Sequence, residues 1–167
     1  YPLRRQRQMC IRDRNAAAQS CNKAITSTSR YSGFVLRNGG IAVDKTTQLM
    51  WMRCSKGQRW DGETCRGEAE AYSWGAALQL AASQEFAGYS DWRLPSKNEL
   101  ETIFEESCVS PAINEQVFPA TPSAYFWTSS PYAGLGKGAW SQDFGYGEVN
   151  ASSKDGPLHV RLVRGGR

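Results

Sequence analysis

The chain has 167 residues, of which 40% are hydrophobic and 16 are glycine, and its formal net charge is +4. This length suits one domain with one core, and no apolar run is long enough to cross a membrane as a helix. Residues 1–14 hold five arginines and one aspartate, so the rest of the chain keeps 15 of the 20 basic and 15 of the 16 acidic residues, a balance that argues against a nucleic-acid partner.

The first 32 residues are set apart from the domain. Met9 to Asp13 reads Met-Cys-Ile-Arg-Asp, which is what a common sequencing adapter gives when translated, so we interpret residues 1–14 as an assembly scar and exclude them from the fold. The alternative is a basic arm that binds nucleic acid. Residues 15–32 are polar and rich in Ser and Thr, which predicts an extended lead-in to a domain at residues 33–167.

The next elements are a hairpin, a third strand and a helix. Residues 34–36 and 41–43 are predicted strands around Asn38-Gly39, and both turn residues are expected to take positive φ. Residues 49–52 form the third predicted strand. Ser73 is the predicted N-cap of a helix over Trp74 to Ser83, whose small apolar face comprises Ala76, Ala77, Leu80 and Ala81.

A second helix is predicted over Lys97 to Glu106. Pro95 favours an extended residue before it, and Ser96 with Glu99 has the spacing of a capping box. Its apolar side chains are expected to face the core and its acids to face water: Leu100, Ile103 and Phe104 inward, joined by Trp92 and Leu94, and Glu101, Glu105 and Glu106 outward.

From Tyr125 onward the apolar pattern has a period of two. It predicts four strands, at residues 126–130, 139–144, 148–152 and 159–164. In the second strand Trp140, Gln142 and Phe144 are expected inward, with Ser141 and Asp143 outward. In the last strand Val160 and Leu162 are expected inward. Helices placed between N-terminal and C-terminal strands indicate an α+β fold.

Four cysteines outside the suspected scar form an even set, which allows three pairings. Cys54 and Cys65 flank a polar, glycine-containing loop that a bridge would staple, and the remaining pair, Cys21 and Cys108, would tie the lead-in to the end of the second helix. Disulfides imply an extracellular, cell-surface or periplasmic protein, with a signal peptide upstream of residue 1. The alternative is four free buried thiols in a cytosolic protein.

Several ordered motifs resemble the DUF1566 family, the type of domain at the C-terminus of the Legionella collagen-like adhesin. The resemblance covers residues 40–166 and rests on these segments: 44–51, 88–95 (Gly-Tyr-Ser-Asp-Trp-Arg-Leu-Pro), 111–114, 118–119, 125–132, 139–140 and 160–166. It implies a C-type-lectin-like fold, with two helices, short antiparallel strands and long loops. Gln48 departs from the pattern, because the family usually has Gly there and a left-handed residue costs Gln more.

Catalysis has little support in the sequence, and we predict a protein that is not an enzyme. His159 is the only histidine, and its plain interpretation is an exposed strand residue. Residues 134–138 are glycine-rich but lack the spacing of a phosphate loop, so they read as a hairpin loop. Formylglycine-generating enzymes, which share the implied fold, use a late cysteine pair, and none follows Cys108. No cofactor and no metal are expected, because zinc spacing and lectin calcium motifs are missing.

The remaining prediction is a binding surface on the C-terminal strands. Short polar groups beside tyrosines make an adaptable contact surface, and the predicted site residues are Tyr132, Lys137, Ser141, Asp143, Tyr146, Glu148, Asn150 and Ser152. The competing interpretation is an ordinary solvated sheet face. Trp127 and Trp140 are expected in the core rather than as sugar-stacking platforms.

These residues and the resemblance together predict an adhesin-like domain of an exported bacterial protein. Its expected ligand is a glycan, a glycosaminoglycan or a surface protein, bound without catalysis. An alternative is the variable display protein of a diversity-generating retroelement, which also uses the C-type-lectin-like fold.

Overall fold

The computed structural model describes residues 18–134 and 136–166. The suspected scar at residues 1–14, and residues 15–17 of the lead-in, lie outside the described residues. The strands are β1 (Ser20–Cys21), β2 (Phe34–Arg37), β3 (Ile41–Asp44), β4 (Met50–Met52), β5 (Arg59–Trp60), β6 (Cys65–Arg66), β7 (Ala71–Tyr72), β8 (Cys108–Val109), β9 (Tyr125–Tyr132), β10 (Gly138–Asp143), β11 (Val149–Ser153), β12 (Leu158–His159) and β13 (Val163–Arg164). The helices are α1 (Trp74–Ala82) and α2 (Lys97–Glu101).

The described strands form two main sheets and two small ones. The five-stranded sheet has the order β11-β10-β9-β12-β7, and the four-stranded sheet has the order β13-β4-β3-β2. The two-stranded sheets are β1-β8 and β5-β6. The α+β class is therefore confirmed, with strands predominating. Neither helix in the described part of the chain has the length and hydropathy that a membrane crossing requires.

The predicted N-terminal hairpin is present, with a longer turn than expected. β2 and β3 pair from Phe34↔Asp44 to Arg37↔Ile41, which leaves a three-residue loop. Positive φ occurs at Gly39 (83°) and Gly40 (80°), so the expectation of positive φ at Asn38 is wrong. The loop places its left-handed residues where a missing Cβ removes the steric cost. The next turn does hold Gln48 at φ 59°, and its side-chain amide donates to the Lys45 carbonyl at 2.7 Å.

Both helices begin where their caps predict. Ser73 accepts the Ala76 N–H at 3.4 Å, and Ser96 forms a complete capping box with Glu99. Helix α1 ends one residue earlier than predicted, and its Ala76 is exposed, not packed.

Helix α2 stops at Glu101, so the predicted extension to Glu106 is wrong. The chain leaves the helix because Phe104 forms a bridge with Ile113, and the Glu105 N–H donates to the Ala112 carbonyl at 3.0 Å. Glu105 is consequently buried, at 2% exposure, where the helical pattern placed it in water.

The core consists of two apolar clusters. Leu100 and Ile103 belong to the first, which also contains Trp51, Phe118, Phe126 and Phe144. Trp92 and Leu94 are buried as predicted, but they lie in the second cluster, with Trp127, Ala77, Ala81, Val160 and Leu162. The segment before α2 therefore packs into the second cluster, whereas α2 and the residues just after it pack into the first.

The predicted strand at residues 159–164 is two short strands in different sheets. β12 pairs with β9 and β7, and β13 pairs with β4, so the segment between them crosses from one sheet to the other. Val160 and Leu162 are buried as predicted. Arg161 between them is also 0% exposed, because both sides of a crossing segment are covered. His159 is half-buried, not exposed, and its Nδ1 lies 3.0 Å from the Glu70 carbonyl oxygen.

The predicted disulfide pairing is confirmed. Cys21 bonds Cys108 and Cys54 bonds Cys65. The first bridge sits in the β1-β8 ladder, where Cys21 and Cys108 are directly opposed. The second closes the β5-β6 hairpin. Each bridge therefore holds one of the two small sheets, which have too few strands to be stable alone.

Candidate functional site

Two of the predicted site residues are buried, and their placement on an exposed face is wrong. Ser141 is 0% and Asp143 is 7% exposed. The Ser141 hydroxyl donates to the Asn150 carbonyl at 3.1 Å and lies 2.8 Å from the Ser152 hydroxyl, and Asp143 Oδ1 accepts the Gly145 N–H at 2.7 Å. These contacts fasten β10 to β11 and shape the turn between them. Alternation predicted two faces for β10, and tertiary packing covers both.

Four of the other six predicted residues lie at two opposite ends of β10. Tyr146, 73% exposed, and Glu148 lie in the turn that joins β10 to β11. Tyr132, half-buried, and Lys137, exposed, flank the loop that joins β9 to β10. A strand of this length separates its ends by roughly 15–20 Å. Asn150 and Ser152 are half-buried on β11 between the two ends. The predicted site residues therefore do not form one surface.

The β9-β10 end carries an aromatic pair beside a lysine. The rings of Tyr132 and Trp140 meet edge to face, with centroids 4.8 Å apart and an interplanar angle of 76°. The Lys97 Nζ lies 5.4 Å from the Trp140 ring centroid and 3.1 Å from Glu101 Oε1. We call Tyr132, Trp140, Lys97 and Lys137 the hairpin site.

Sequence reasoning missed two members of the hairpin site. Trp127 is buried as predicted, but Trp140 is half-buried, so its assignment to the core is wrong. The sequence predicts Lys97 only as the first residue of a helix. The available signal was the strand period, because Trp140 and Gly138 share a face and Gly138 is directly opposite Tyr132.

Gly134 lets the loop pass close to the tyrosine of this pair. A Cβ on Gly134 would lie 2.6 Å from the Tyr132 hydroxyl oxygen, nearer than real Cβ contacts come. The loop backbone therefore covers the hydroxyl edge of the ring and limits its movement.

A second cation and aromatic ring lie at the same end of the sheet. The Lys154 N–H donates to the Lys137 carbonyl at 2.8 Å, and the Lys154 Nζ lies 4.4 Å from the Trp74 ring centroid. The β9-β10 end thus presents three lysines and three aromatic rings, a local basic and aromatic surface on a domain that is neutral as a whole.

The sole histidine has a structural contact. Its ring centroid lies 5.5 Å from that of Phe126, and its Nδ1 meets a backbone carbonyl. Among the described residues, no group of three or more His, Cys, Asp or Glu side chains is arranged to hold a metal ion.

Comparison with known proteins places the chain in a family. A family model described as the Lcl C-terminal domain matches residues 40–164, which include both helices, the whole five-stranded sheet, three strands of the four-stranded sheet and the hairpin site. No curated protein matches the chain. Since the match covers well over half of the sequence, the chain belongs to the Lcl C-terminal domain family.

Proposed function

We propose that this domain is a non-enzymatic, adhesin-like ligand-binding module of an exported bacterial protein, and that it binds an acidic glycan, such as a glycosaminoglycan, at the hairpin site. The two disulfides and the family support an extracellular or surface location. Two helices with short, mostly antiparallel strands and long connections also fit a C-type-lectin-like fold, which we propose as the architecture.

The observation that carries the proposal is the half-buried Tyr132–Trp140 pair with the Lys97 ammonium over the indole. Aromatic side chains offer an apolar face to the C–H groups of a sugar ring, at low entropic cost because the rings are already held. An ammonium beside that face adds a charge-assisted hydrogen bond to a carboxylate or sulfate. Lys137, exposed in the adjoining loop, supplies a second cation.

The Lys97–Glu101 ion pair sets the expected sign of two substitutions. Because Glu101 Oε1 lies 3.1 Å from Lys97 Nζ, a ligand anion competes with Glu101 for the same ammonium. Removing the carboxylate frees the cation, whereas removing the cation abolishes the charge-assisted contact. Glu101→Gln is therefore expected to strengthen binding of an acidic glycan, and Lys97→Gln to weaken it.

The test is calorimetric titration of the full chain with heparin and with desulfated heparin, with and without chelator. We expect binding to heparin that is unaffected by chelator and weakens with salt. Lys97→Gln and Tyr132→Ala should each weaken it about tenfold, corresponding to about 1.4 kcal/mol. The matched controls Lys23→Gln and Tyr146→Ala, on exposed residues away from the hairpin site, should bind as the unsubstituted chain does.

Two results would overturn the proposal. Loss of binding in Tyr146→Ala with full binding in Tyr132→Ala moves the site to the β10-β11 turn. If the chain binds no acidic glycan on a glycan array, the proposed ligand class is wrong, and a surface protein becomes the ligand to test.

A further inference from the structure

We infer that Thr128 is a positioning residue for the hairpin site, acting with Ser130 through a bulge in β9 that fixes Trp140 and Lys97 relative to each other. That these two side chains serve a ligand rests on the proposed function. The bulge and its hydrogen bonds are observed independently of any ligand.

The bulge lies directly opposite the tryptophan. Ala139 pairs with Pro131 and Ser141 pairs with Trp127, so the single residue Trp140 on β10 faces residues 128–130 on β9. Bulges of this kind redirect side chains and recur beside functional sites. Here the extra residues give β9 hydrogen-bonding groups that the ladder does not use.

The Thr128 hydroxyl is used as both donor and acceptor. Its Oγ1 donates to the Trp140 carbonyl at 2.7 Å and accepts the Ser130 N–H at 3.2 Å, and the residue is 1% exposed. The hydroxyl therefore holds the Trp140 backbone against the bulge. It also sets the path of the chain into Ser130, whose Oγ accepts the Lys97 N–H at 3.1 Å.

The same three residues reach the start of α2 and the start of α1. The Ser129 N–H donates to the Pro95 carbonyl at 2.8 Å, and the Trp74 indole N–H donates to the Thr128 carbonyl at 2.9 Å. The Pro95–Lys97 segment is thus held against the bulge by two hydrogen bonds, one to the Ser129 backbone and one to the Ser130 hydroxyl. The bulge therefore sets the two backbone positions from which the Lys97 ammonium comes within 5.4 Å of the Trp140 ring centroid.

The test compares Thr128→Val, which keeps the shape and deletes the hydroxyl, with Thr128→Ser, which keeps the hydroxyl. The full chain is labelled with 5-fluorotryptophan, and the Trp140 ¹⁹F resonance is assigned with Trp140→Phe. We expect Thr128→Val to shift the Trp140 resonance and leave that of Trp51 in place, and to weaken heparin binding about fivefold, the loss of about one net hydrogen bond. Thr128→Ser should restore both, and Thr46→Val, at an exposed threonine, should change neither.

The Trp140 resonance and the heparin affinity test the positioning role and the proposed function separately, and Ser130→Ala serves as a second variant. An unmoved Trp140 resonance in Thr128→Val overturns the inference. If Thr128→Val does not fold, Ser130→Ala removes only the acceptor of the Lys97 N–H, and unchanged heparin affinity in that variant overturns it. If the unsubstituted chain binds no glycan, the proposed function fails, and the Trp140 resonance still decides the positioning role.

Discussion

Glu105 carries a buried carboxylate that fastens the N-terminal segment to the domain. Its oxygens accept the Ser27 hydroxyl at 2.5 Å, the Ser29 N–H at 2.9 Å and the Ser107 hydroxyl at 2.6 Å. Burial alone would raise the pKa of this carboxyl, but the hydrogen bonds from Ser107, Ser27 and Ser29 outweigh burial and lower its pKa to about 2. The ionised form is therefore part of the folded structure.

Glu105→Gln is expected to lower the free energy of unfolding at pH 7 by about 2 kcal/mol, because the hydrogen bonds lose their charged acceptor. The folded pKa lies below the ordinary value of 4.5, so the stabilisation is complete above that value and is lost as pH falls from there to about 2. Urea denaturation at several pH values measures this. The unsubstituted chain should lose more stability than Glu105→Gln between pH 5 and pH 2.

Glu106→Gln provides the control for this prediction. Glu106 is exposed, so its substitution should leave both the stability and its pH dependence close to those of the unsubstituted chain. Parallel pH profiles for Glu105→Gln and the unsubstituted chain would contradict a stabilising role for the carboxylate.

Glu105 and Ser141 also show where residue-level prediction fails. Helical periodicity predicts Glu105 in water because the local sequence carries no signal that residues 104 and 105 pair with residues 112 and 113. Strand alternation placed Ser141 outward because a period of two separates the faces without saying whether the second face is covered. Trp140 shows the opposite error, since alternation predicts it in the core and it is only half-buried. Burial at these positions depends on contacts far away in sequence.

The two disulfides stabilise elements that have little core of their own. Cys21–Cys108 joins residues 87 apart and holds the two-residue strand β1, whereas Cys54–Cys65 spans 11 residues around the β5-β6 hairpin. That hairpin has a further anchor, since the Trp60 ring packs over Gly40 and lies 4.2 Å from the Arg53 guanidinium carbon. The Cys21–Cys108 bridge therefore closes the larger loop.

Replacing Cys21 and Cys108 with serine should lower the melting temperature more than replacing Cys54 and Cys65 with serine. From the chain entropy of the two loops, the free energy of unfolding is expected to fall by about 4.5 kcal/mol without Cys21–Cys108 and by about 3 kcal/mol without Cys54–Cys65. Limited proteolysis of Cys21→Ser/Cys108→Ser should also cut more readily within residues 18–33, because that segment is then held by noncovalent contacts, among them the hydrogen bonds to Glu105 and those of Gln19 and Asn22. Thermal unfolding by circular dichroism checks the order of the two variants, and the reverse order would show that the β5-β6 hairpin matters more.

Elements with local signals were predictable, and elements defined by distant partners were not. Both N-caps, the first hairpin and the Cys54–Cys65 bridge follow from residue type and spacing at short range, and Cys21–Cys108 is the pair that then remains of an even set. The end of α2 and the division of residues 159–164 between two sheets do not, because each is set by a partner strand or loop elsewhere.

At the scale of the whole molecule, Arg161 joins the segment between β12 and β13 to the end of β4 and to the loop that holds Thr121. Its guanidinium donates to the Met52 carbonyl at 3.0 Å, to the Arg53 carbonyl and to the Thr121 hydroxyl at 2.7 Å. Its central carbon lies 4.9 Å from the Phe118 ring centroid. Burial lowers the pKa of Arg161 to about 9, which leaves the side chain protonated at neutral pH. The cation is thus held by carbonyl and hydroxyl oxygens and an aromatic face.

Arg161→Met is expected to cost about 3 kcal/mol or more, because several buried oxygen acceptors lose their donor. Arg161→Lys keeps the charge without the planar fork and should recover only part of that loss. Arg164→Met is the control on the same segment, because Arg164 pairs with an Asp91 side chain that is 60% exposed. This substitution should lower the free energy of unfolding by about 1 kcal/mol at most. Equal unfolding free energies for Arg161→Met and Arg164→Met, measured in urea, would contradict the role assigned to the buried cation.

The insertion of β12 between β9 and β7 has a consequence for synthesis. β7 and β4 emerge from the ribosome early, yet β12 is the strand that joins β7 to its sheet, and β13 completes the sheet of β4. The nascent chain therefore cannot close either sheet until residues 158–164 have been made. Completion of both sheets thus depends on a segment that is translated after every other described strand, and such a delay is compatible with the exported location proposed above.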